Sequence, residues 1–371
     1  MKLVSVVGAR PNFMKLAPLA AEFDRRDDVE HFVVHTGQHY DVAMSDAFFQ
    51  ELQIPDPRYH LAVGSGTHAQ QTAAVVERIE PVLMSERPDM VIVYGDVNST
   101  VAAALTAAKL NIPVAHVEAG LRSRDRTMPE EINRLVTDAL ADVLLAPSPD
   151  AMDNLLAEGH AADTIHFVGN IMIDVLRFAL KQIEGTRAAS LSVNVPSKPY
   201  VVATIHRPAN VDDPENIEQI MRGLLELSRD HTVLFPVHPR TRQRLAALSR
   251  TLTSERELKL QLLDPVPYLE MTRLVAGAGL VITDSGGLQE ETTYLGVPCL
   301  TVRTTTERPI TCSEGTNRLI PAQRESIVTL AREALARPRG APPIIERWDG
   351  HTAERIADVL CGAREPAASA S

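Results

Sequence analysis

Aromatic side chains are scarce in this chain of 371 residues: they make up 4% of it, against 44% for apolar residues as a whole. Any core is therefore mostly aliphatic, and there is enough apolar material for a substantial one. Cysteine is rare too. Cys299, Cys312 and Cys361 form no CxxC pair and no even framework, so reduced thiols in the cytosol are the simplest account. No apolar run approaches the length needed to cross a bilayer. The N-terminus is apolar for only a few residues before Arg10, too short for a secretion signal. A soluble, cytoplasmic protein without membrane insertion is expected. Positive charge is not in excess either: the formal net charge is −11, which argues against a nucleic-acid partner. An anionic ligand would have to rely on locally placed arginines. HExxH, Walker and GxGxxG patterns are missing, so neither zinc hydrolysis nor a conventional NAD site is supported, and no cofactor is expected. His31, His35 and His39 are spaced by four but fall on a strand and its turn, which discounts a metal site.

At this length roughly two domains are expected. Apolar runs of strand length recur at Leu3–Val7, Phe32–His35, Met90–Tyr94, Val114–Val117, Val143–Leu145 and Ile165–Val168. Helical patterns such as Thr67–Arg87, Ser99–Leu110, Glu130–Leu140 and Pro149–Glu158 separate most of them. A second series runs through Tyr200–Ile205, Val233–Val237, Leu258–Leu263, Leu280–Thr283 and Val297–Val302. Continuous rather than alternating apolar strands mean burial on both faces, hence parallel sheets covered by helices. The expected fold class is α/β, with two Rossmann-like, doubly wound domains facing across a cleft. Their expected extents are 1–175 and 199–350, joined by a linker at 176–198. A last helix at 351–364 could return to either half, and the Ala/Ser-rich tail 365–371 is expected to be disordered. Ligands of such sheets lie beyond the carboxyl ends of the strands.

The stretch Val281–Glu291 is the most informative. An apolar strand runs through Ser285-Gly286-Gly287 into a helical pattern that ends near Gly296. Such a turn leaves backbone N–H groups without partners at the positive end of the helix dipole. Glycine lets a ligand approach them closely, which makes an anion cradle. One turn on, Glu290 or Glu291 could take the paired hydroxyls of a ribose. Asp-Ser-Gly-Gly also surrounds the nucleophile of chymotrypsin-like proteases, but those need an all-β chain, and strands and helices alternate here.

Other strand ends carry chemistry as well. The first leads into Gly8-Ala9-Arg10-Pro11, with Lys15 following; two cations beside a helix start suit phosphate. Asp96 follows the strand Met90–Tyr94, and Glu118 follows Val114–Val117. Glu130 and Glu131 open a helix after Pro129, where acids also serve simply as first-turn partners of the dipole. Three acids (Asp96, Glu118 and Glu130) at the mouth of one sheet would repel one another's charge and make stronger general bases. In the second half His206-Arg207-Pro208 and His238-Pro239-Arg240 end two strands, which suits phosphate contact or proton donation to a leaving phosphate. Arg308, in Thr305–Pro309, is a third basic site.

Taken together, Gly8-Ala9-Arg10-Pro11 with Lys15, Thr36-Gly37-Gln38-His39, Gly95-Asp96, His116–Arg122, Met128–Arg134, Pro236–Pro239, Thr283–Glu291 and Thr305–Pro309 resemble the UDP-N-acetylglucosamine 2-epimerase family, chiefly its non-hydrolysing branch. The resemblance runs from the first strand to the last helix. It implies the glycosyltransferase-B architecture, with UDP in the interdomain cleft, and a homodimer. By motif, Asp96, Glu118 and Glu130 match the family's catalytic acids, and His206 its histidine near the phosphates. Ser285, Gly286, Gly287 and Glu291 match the UDP loop and ribose contact; Arg10, Lys15, His238 and Arg308 match phosphate or sugar contacts. Tyr268 lies where the family places an aromatic residue near uracil. The implied reaction removes the C2 proton, expels UDP from C1 to leave 2-acetamidoglucal, and adds UDP back after reprotonation of the other C2 face. The alternatives are a hydrolysing relative releasing ManNAc and UDP, an epimerase of a UDP-diacetamido uronic acid, and a glycosyltransferase of the same architecture. Where many bacterial members have His-Arg-Arg-Glu, this chain has His206-Arg207-Pro208-Ala209, so activation by a second substrate molecule is not carried over.

Overall fold

The computed structural model describes residues 1–38, 49–185, 199–252 and 259–362. His39, positions 186–198 of the expected linker and the tail 365–371 lie outside the described residues. The chain divides into two compact units, Met1–Val175 with Glu346–Ser371, and Leu176–Ile345.

The first unit is built on a seven-stranded sheet: β1 (Lys2–Val7), β2 (Glu30–His35), β3 (Tyr59–His60), β4 (Met90–Tyr94), β5 (Val114–Val117), β6 (Val143–Ala146) and β7 (Ile165–Phe167). Their order is β3-β2-β1-β4-β5-β6-β7, and every pairing is parallel. Val4 lies beside Phe32 in β2 and Val91 in β4. Val4, Val6, Val34, Val91 and Val93 pack under Val75, Ile79 and Leu83 of the helix His68–Glu86 and under the alanines of the helix Asn98–Lys109. Alanine at 102, 103, 104 and 107, all fully buried, lets that helix lie close to the sheet. The direction of travel reverses between β1 and β4, so the crevice beyond their carboxyl ends is the switch point of the sheet.

The second unit repeats the plan with six strands: β8 (Tyr200–Thr204), β9 (Thr232–Pro236), β10 (Leu260–Leu263), β11 (Leu280–Thr283), β12 (Cys299–Val302) and β13 (Asn317–Ile320). The order is β10-β9-β8-β11-β12-β13, again all parallel. Val201, Ala203, Phe235 and Ile282 face the helices Pro214–Leu227 and Arg324–Ala336 through Ile220, Leu224 and Ile327. Val202, Leu234 and Val281 on the other face meet Leu274, Val275 and Leu288. Its switch point lies between β8 and β11. Strand burial on both faces is what the continuous apolar runs require.

Two details differ from the pattern read in the sequence, and a third, the place of the last helix, was left open there between the two halves. β3 and β13 are edge strands absent from that pattern, because one is two residues long and the other carries Asn317 and Arg318. Positions 176–185, expected in a linker, are the second part of the helix Ile171–Gly185. The last helix, Thr352–Gly362, sits in the first unit, where the Ala353 amide donates to Asp174 at 2.9 Å and Arg26 pairs with Asp358 at 2.6 Å. Among the described residues no helix is long and apolar enough to cross a membrane.

Candidate active site

In the first unit the residues after β1, β4 and β5 converge. Gly95 follows β4 in a left-handed conformation (φ +59°), and a Cβ there would lie 2.7 Å from the Lys15 ammonium and 3.9 Å from Glu118. Lys15, in the helix Arg10–Phe23, forms an ion pair of 2.7 Å with Glu118, both nearly buried. Glu118 itself has φ +76°, a costly conformation for a residue with a side chain, held here by bonds to the neighbouring strand. Its amide and that of Ala119 donate to the Leu145 carbonyl. Asn12 ties the same corner, donating to the Tyr94 carbonyl at 2.7 Å. Asp96, about a quarter exposed, pairs with Arg134. Arg134 lies four residues beyond Glu130 on the helix Pro129–Leu140, so the two share one helix face. Asn133 of the same helix donates to the Asp96 carbonyl at 2.8 Å. Glu130 is partly exposed at the helix start.

The acids do not simply repel one another, as their clustering in the sequence suggested. Glu118 faces Lys15 and Asp96 faces Arg134, which also pairs with Glu131, so each of these two carboxylates meets a cation. Lys15 is accordingly engaged with Glu118, while Arg10 is exposed at the helix start. Beneath them, buried His116 donates from Nε2 to the Gly95 carbonyl at 2.8 Å, and its Nδ1 meets Asp138 at 2.5 Å. Asp138 also takes Arg122 at 2.6 Å and the Gly120 amide at 3.1 Å. Burial alone would raise the Asp138 carboxyl; His116 and Arg122 more than offset it and hold it below the usual range.

In the second unit β11 leads through Asp284 and Ser285 into the helix Gly286–Leu295. Ser285 precedes the helix with no side-chain cap, so the first-turn amides are left for a ligand. Gly286 is crowded: a Cβ there would come within 2.7 Å of the Glu307 carboxylate and 2.9 Å of the Arg308 guanidinium, which would have to shift. A Cβ at Gly287 would meet nothing. Asp284, fully buried, accepts the His206 amide at 3.1 Å, the Arg207 amide at 2.9 Å and Asn210 at 3.1 Å. It also meets His206 Nδ1 at 3.0 Å, which leaves Nε2 of the half-exposed ring to face outward. Burial opposes its charge, but His206, Arg207 and Asn210 hold the carboxyl below its ordinary range. The His206 and His238 rings lie 5.9 Å apart, bringing together the two strand-end histidines.

The two adjacent acids of the cradle helix divide their work. Glu290 pairs with Arg308 at 2.7 Å, whereas Glu291 accepts from the Tyr268 hydroxyl at 3.1 Å. Tyr268 is thus buried against Glu291 and orients it. Glu307 gathers three guanidinium groups: Arg308 at 2.7 Å, Arg303 at 2.8 Å and Arg207 at 3.6 Å. Burial pushes its carboxyl up, yet these arginines pull it far below the normal range. Arg207, Arg303 and Arg308 thus gather near the uncapped helix start, balanced by Asp284, Glu290 and Glu307.

Sequence reasoning gave Asp284, Arg134, Asp138 and Glu307 no role, and Glu131 only that of a first-turn acid. Helical spacing from Glu130 could have found Arg134. Asp284 was visible, but its value as an acceptor of amides from another strand was not. Among the described residues no group of three His, Cys, Asp or Glu side chains is arranged to hold a metal.

The model of the family described as UDP-N-acetylglucosamine 2-epimerase matches residues 21–361. A UDP-N-acetylglucosamine 2-epimerase homolog of Methanococcus maripaludis is 46% identical, over 88% of this chain and 91% of that one. The UDP-2,3-diacetamido-2,3-dideoxy-D-glucuronate 2-epimerase of Pseudomonas aeruginosa is 42% identical, over 91% and 93%. The crystal structure of Methanocaldococcus jannaschii UDP-GlcNAc 2-epimerase in complex with UDP-GlcNAc and UDP superposes with a TM-score of 0.90 at 40% identity, covering 98% of this chain and 100% of that one. The two Rossmann-like units are of glycosyltransferase-B type, and the family match and the relatives make the chain an enzyme, an epimerase of nucleotide sugars. The chain belongs to the UDP-N-acetylglucosamine 2-epimerase family.

Proposed function

We propose that this chain is a non-hydrolysing epimerase that interconverts UDP-GlcNAc and UDP-ManNAc, its own carboxylates moving the protons. The observation that carries the reading is the pair Asp96 and Glu118 at the switch point of the first sheet, each held by a cation. A carboxylate there takes the C2 proton as the C1–O bond breaks and the electron pair leaves with UDP, giving 2-acetamidoglucal. A second acid gives a proton to the opposite C2 face while UDP oxygen rebonds to C1. Asp96, Glu118 and Glu130 are the candidates for the two faces. In the second unit, the amides after Ser285, with Gly286, Gly287 and Arg308, receive the pyrophosphate; Glu291 takes the ribose and His206 faces the phosphates. Arg10, Lys15, His238 and Tyr268 complete the set, Lys15 by holding Glu118 and Tyr268 by holding Glu291. Keeping UDP bound lets return outpace loss, a positioning effect.

Proton NMR of UDP-GlcNAc with the protein in D2O tests this. Deuterium at C2 with UDP-ManNAc growing in is the expected result. Free N-acetylmannosamine with stoichiometric UDP would replace it with the hydrolysing reading, and no exchange without an acceptor sugar would leave a transferase. The 42% identity to the diacetamido-glucuronate enzyme favours a second substrate reading at the sugar alone. Parallel turnover of the UDP-diacetamido uronic acid decides it.

A further inference from the structure

Glu131 is the neighbour of the candidate acid Glu130, yet it is buried, 2% exposed, in the helix Pro129–Leu140. Its carboxylate accepts five hydrogen bonds. One oxygen takes the Arg124 amide at 2.8 Å. The other takes the Ser123 amide and hydroxyl, both at 2.9 Å, and Arg134 through Nε at 3.0 Å and Nη2 at 2.6 Å. Arg134 turns its remaining Nη1 to Asp96. The guanidinium is planar and stiff, so fixing two of its nitrogens fixes the third. The segment 118–125 contains two non-glycine residues in left-handed conformation, Glu118 at φ +76° and Arg124 at φ +59°. Such conformations persist only where the surroundings hold them. Burial opposes charge on Glu131, but Ser123, Arg134 and Arg124 together hold its carboxyl below the ordinary range.

We infer that Glu131 is a positioning residue for the epimerisation: through Arg134 it sets the place of Asp96, and through Ser123 and Arg124 it holds the loop that starts at Glu118. It touches no substrate in this account. The inference rests on the proposed function and deepens it, since it names what aligns two of the proposed acids. A simpler role, an acid favouring the first turn of its helix, would need neither the guanidinium contact nor the two loop amides.

The test uses the full chain with UDP-GlcNAc, comparing wild type, Glu131→Gln, Arg134→Lys and the double variant by steady-state epimerisation. Glutamine keeps one oxygen, which can serve the Ser123 amide or the Arg124 amide but not both, and removes the charge facing Arg134. Glu131→Gln should lower kcat about 10- to 100-fold while KM stays within about threefold, as expected for misplacement of a reacting group. The loss in the double variant should fall short of the product of the two single losses, because the changes share the Glu131–Arg134 contact while the loop contacts of Glu131 are separate. An unchanged kcat, or losses that multiply in the double variant, overturns the inference. So does a parallel loss of kcat, KM and fold stability, the mark of a purely structural acid. Should Glu131→Gln misfold, an unchanged kcat in Arg134→Lys overturns it, and a fall in kcat alone upholds it. A wild type without C2 exchange defeats the functional reading itself; an active wild type with an equally active Glu131→Gln defeats only the positioning role.

Discussion

Replacing Lys15 with methionine keeps the aliphatic stem and removes the ammonium that faces Glu118. The two groups lie 2.7 Å apart with side chains only 5% and 6% exposed. At an effective dielectric of about 20, unit charges at that separation attract by about 6 kcal/mol. Desolvation of both ions offsets much of this in the native protein, so the pair is not a large net stabiliser. Removing one member is different, because the carboxylate keeps its burial and loses its counter-charge; the cost is about 3 to 5 kcal/mol. In the proposed reaction C2 exchange should fall at least 100-fold, because the ammonium that holds Glu118 in place is gone. Trp348, the single tryptophan, is buried in the first unit and reports its unfolding in urea without interference from the second. A shift below about 1 kcal/mol would refute the view that this pair is a buried ion pair on which Glu118 depends.

Asp96→Asn should abolish C2 exchange while UDP affinity, measured by calorimetry, stays within a few-fold; unchanged turnover removes Asp96 from the mechanism. Asp284→Ala leaves two amides and Asn210 without their acceptor. It should destabilise the second unit by about 3 kcal/mol and weaken UDP binding at least tenfold, and affinity within twofold of wild type would contradict the role assigned to His206. His31, beside Ser5 and Phe23, has its pKa lowered by burial to about 4. The unfolded chain therefore takes up the proton first, and stability present above about pH 6.5 is lost as pH falls towards 4. The window is worth about 2 to 3 kcal/mol after allowance for partial exposure. His31→Gln should flatten the Trp348-detected stability over that range; an unaltered slope would place the titration elsewhere.

The alternation of strands and helices, and hence two parallel sheets, was legible because fully buried strands are written as unbroken aliphatic runs such as Leu3–Val7 and Met90–Tyr94. The turn at Ser285–Gly287 was legible as well, since paired glycines interrupt an apolar strand run just before a helical pattern. So was the placement of Asp96 and Glu118 at strand ends, which follows once the strands are found. Partners were not legible. Nothing local shows that Lys15 lies on Glu118, that Glu290 turns to Arg308 while Glu291 turns to Tyr268, or that Asp284 collects amides from the end of β8. Edge strands β3 and β13 were also invisible, one for its length and the other for its polar residues. The sequence by itself determined the elements and the chemistry available at their ends, because periodicity and turn preferences act within a few residues. Only the tertiary structure decided which cation meets which acid, because those distances are set by the order of strands and the packing of helices from far-apart parts of the chain.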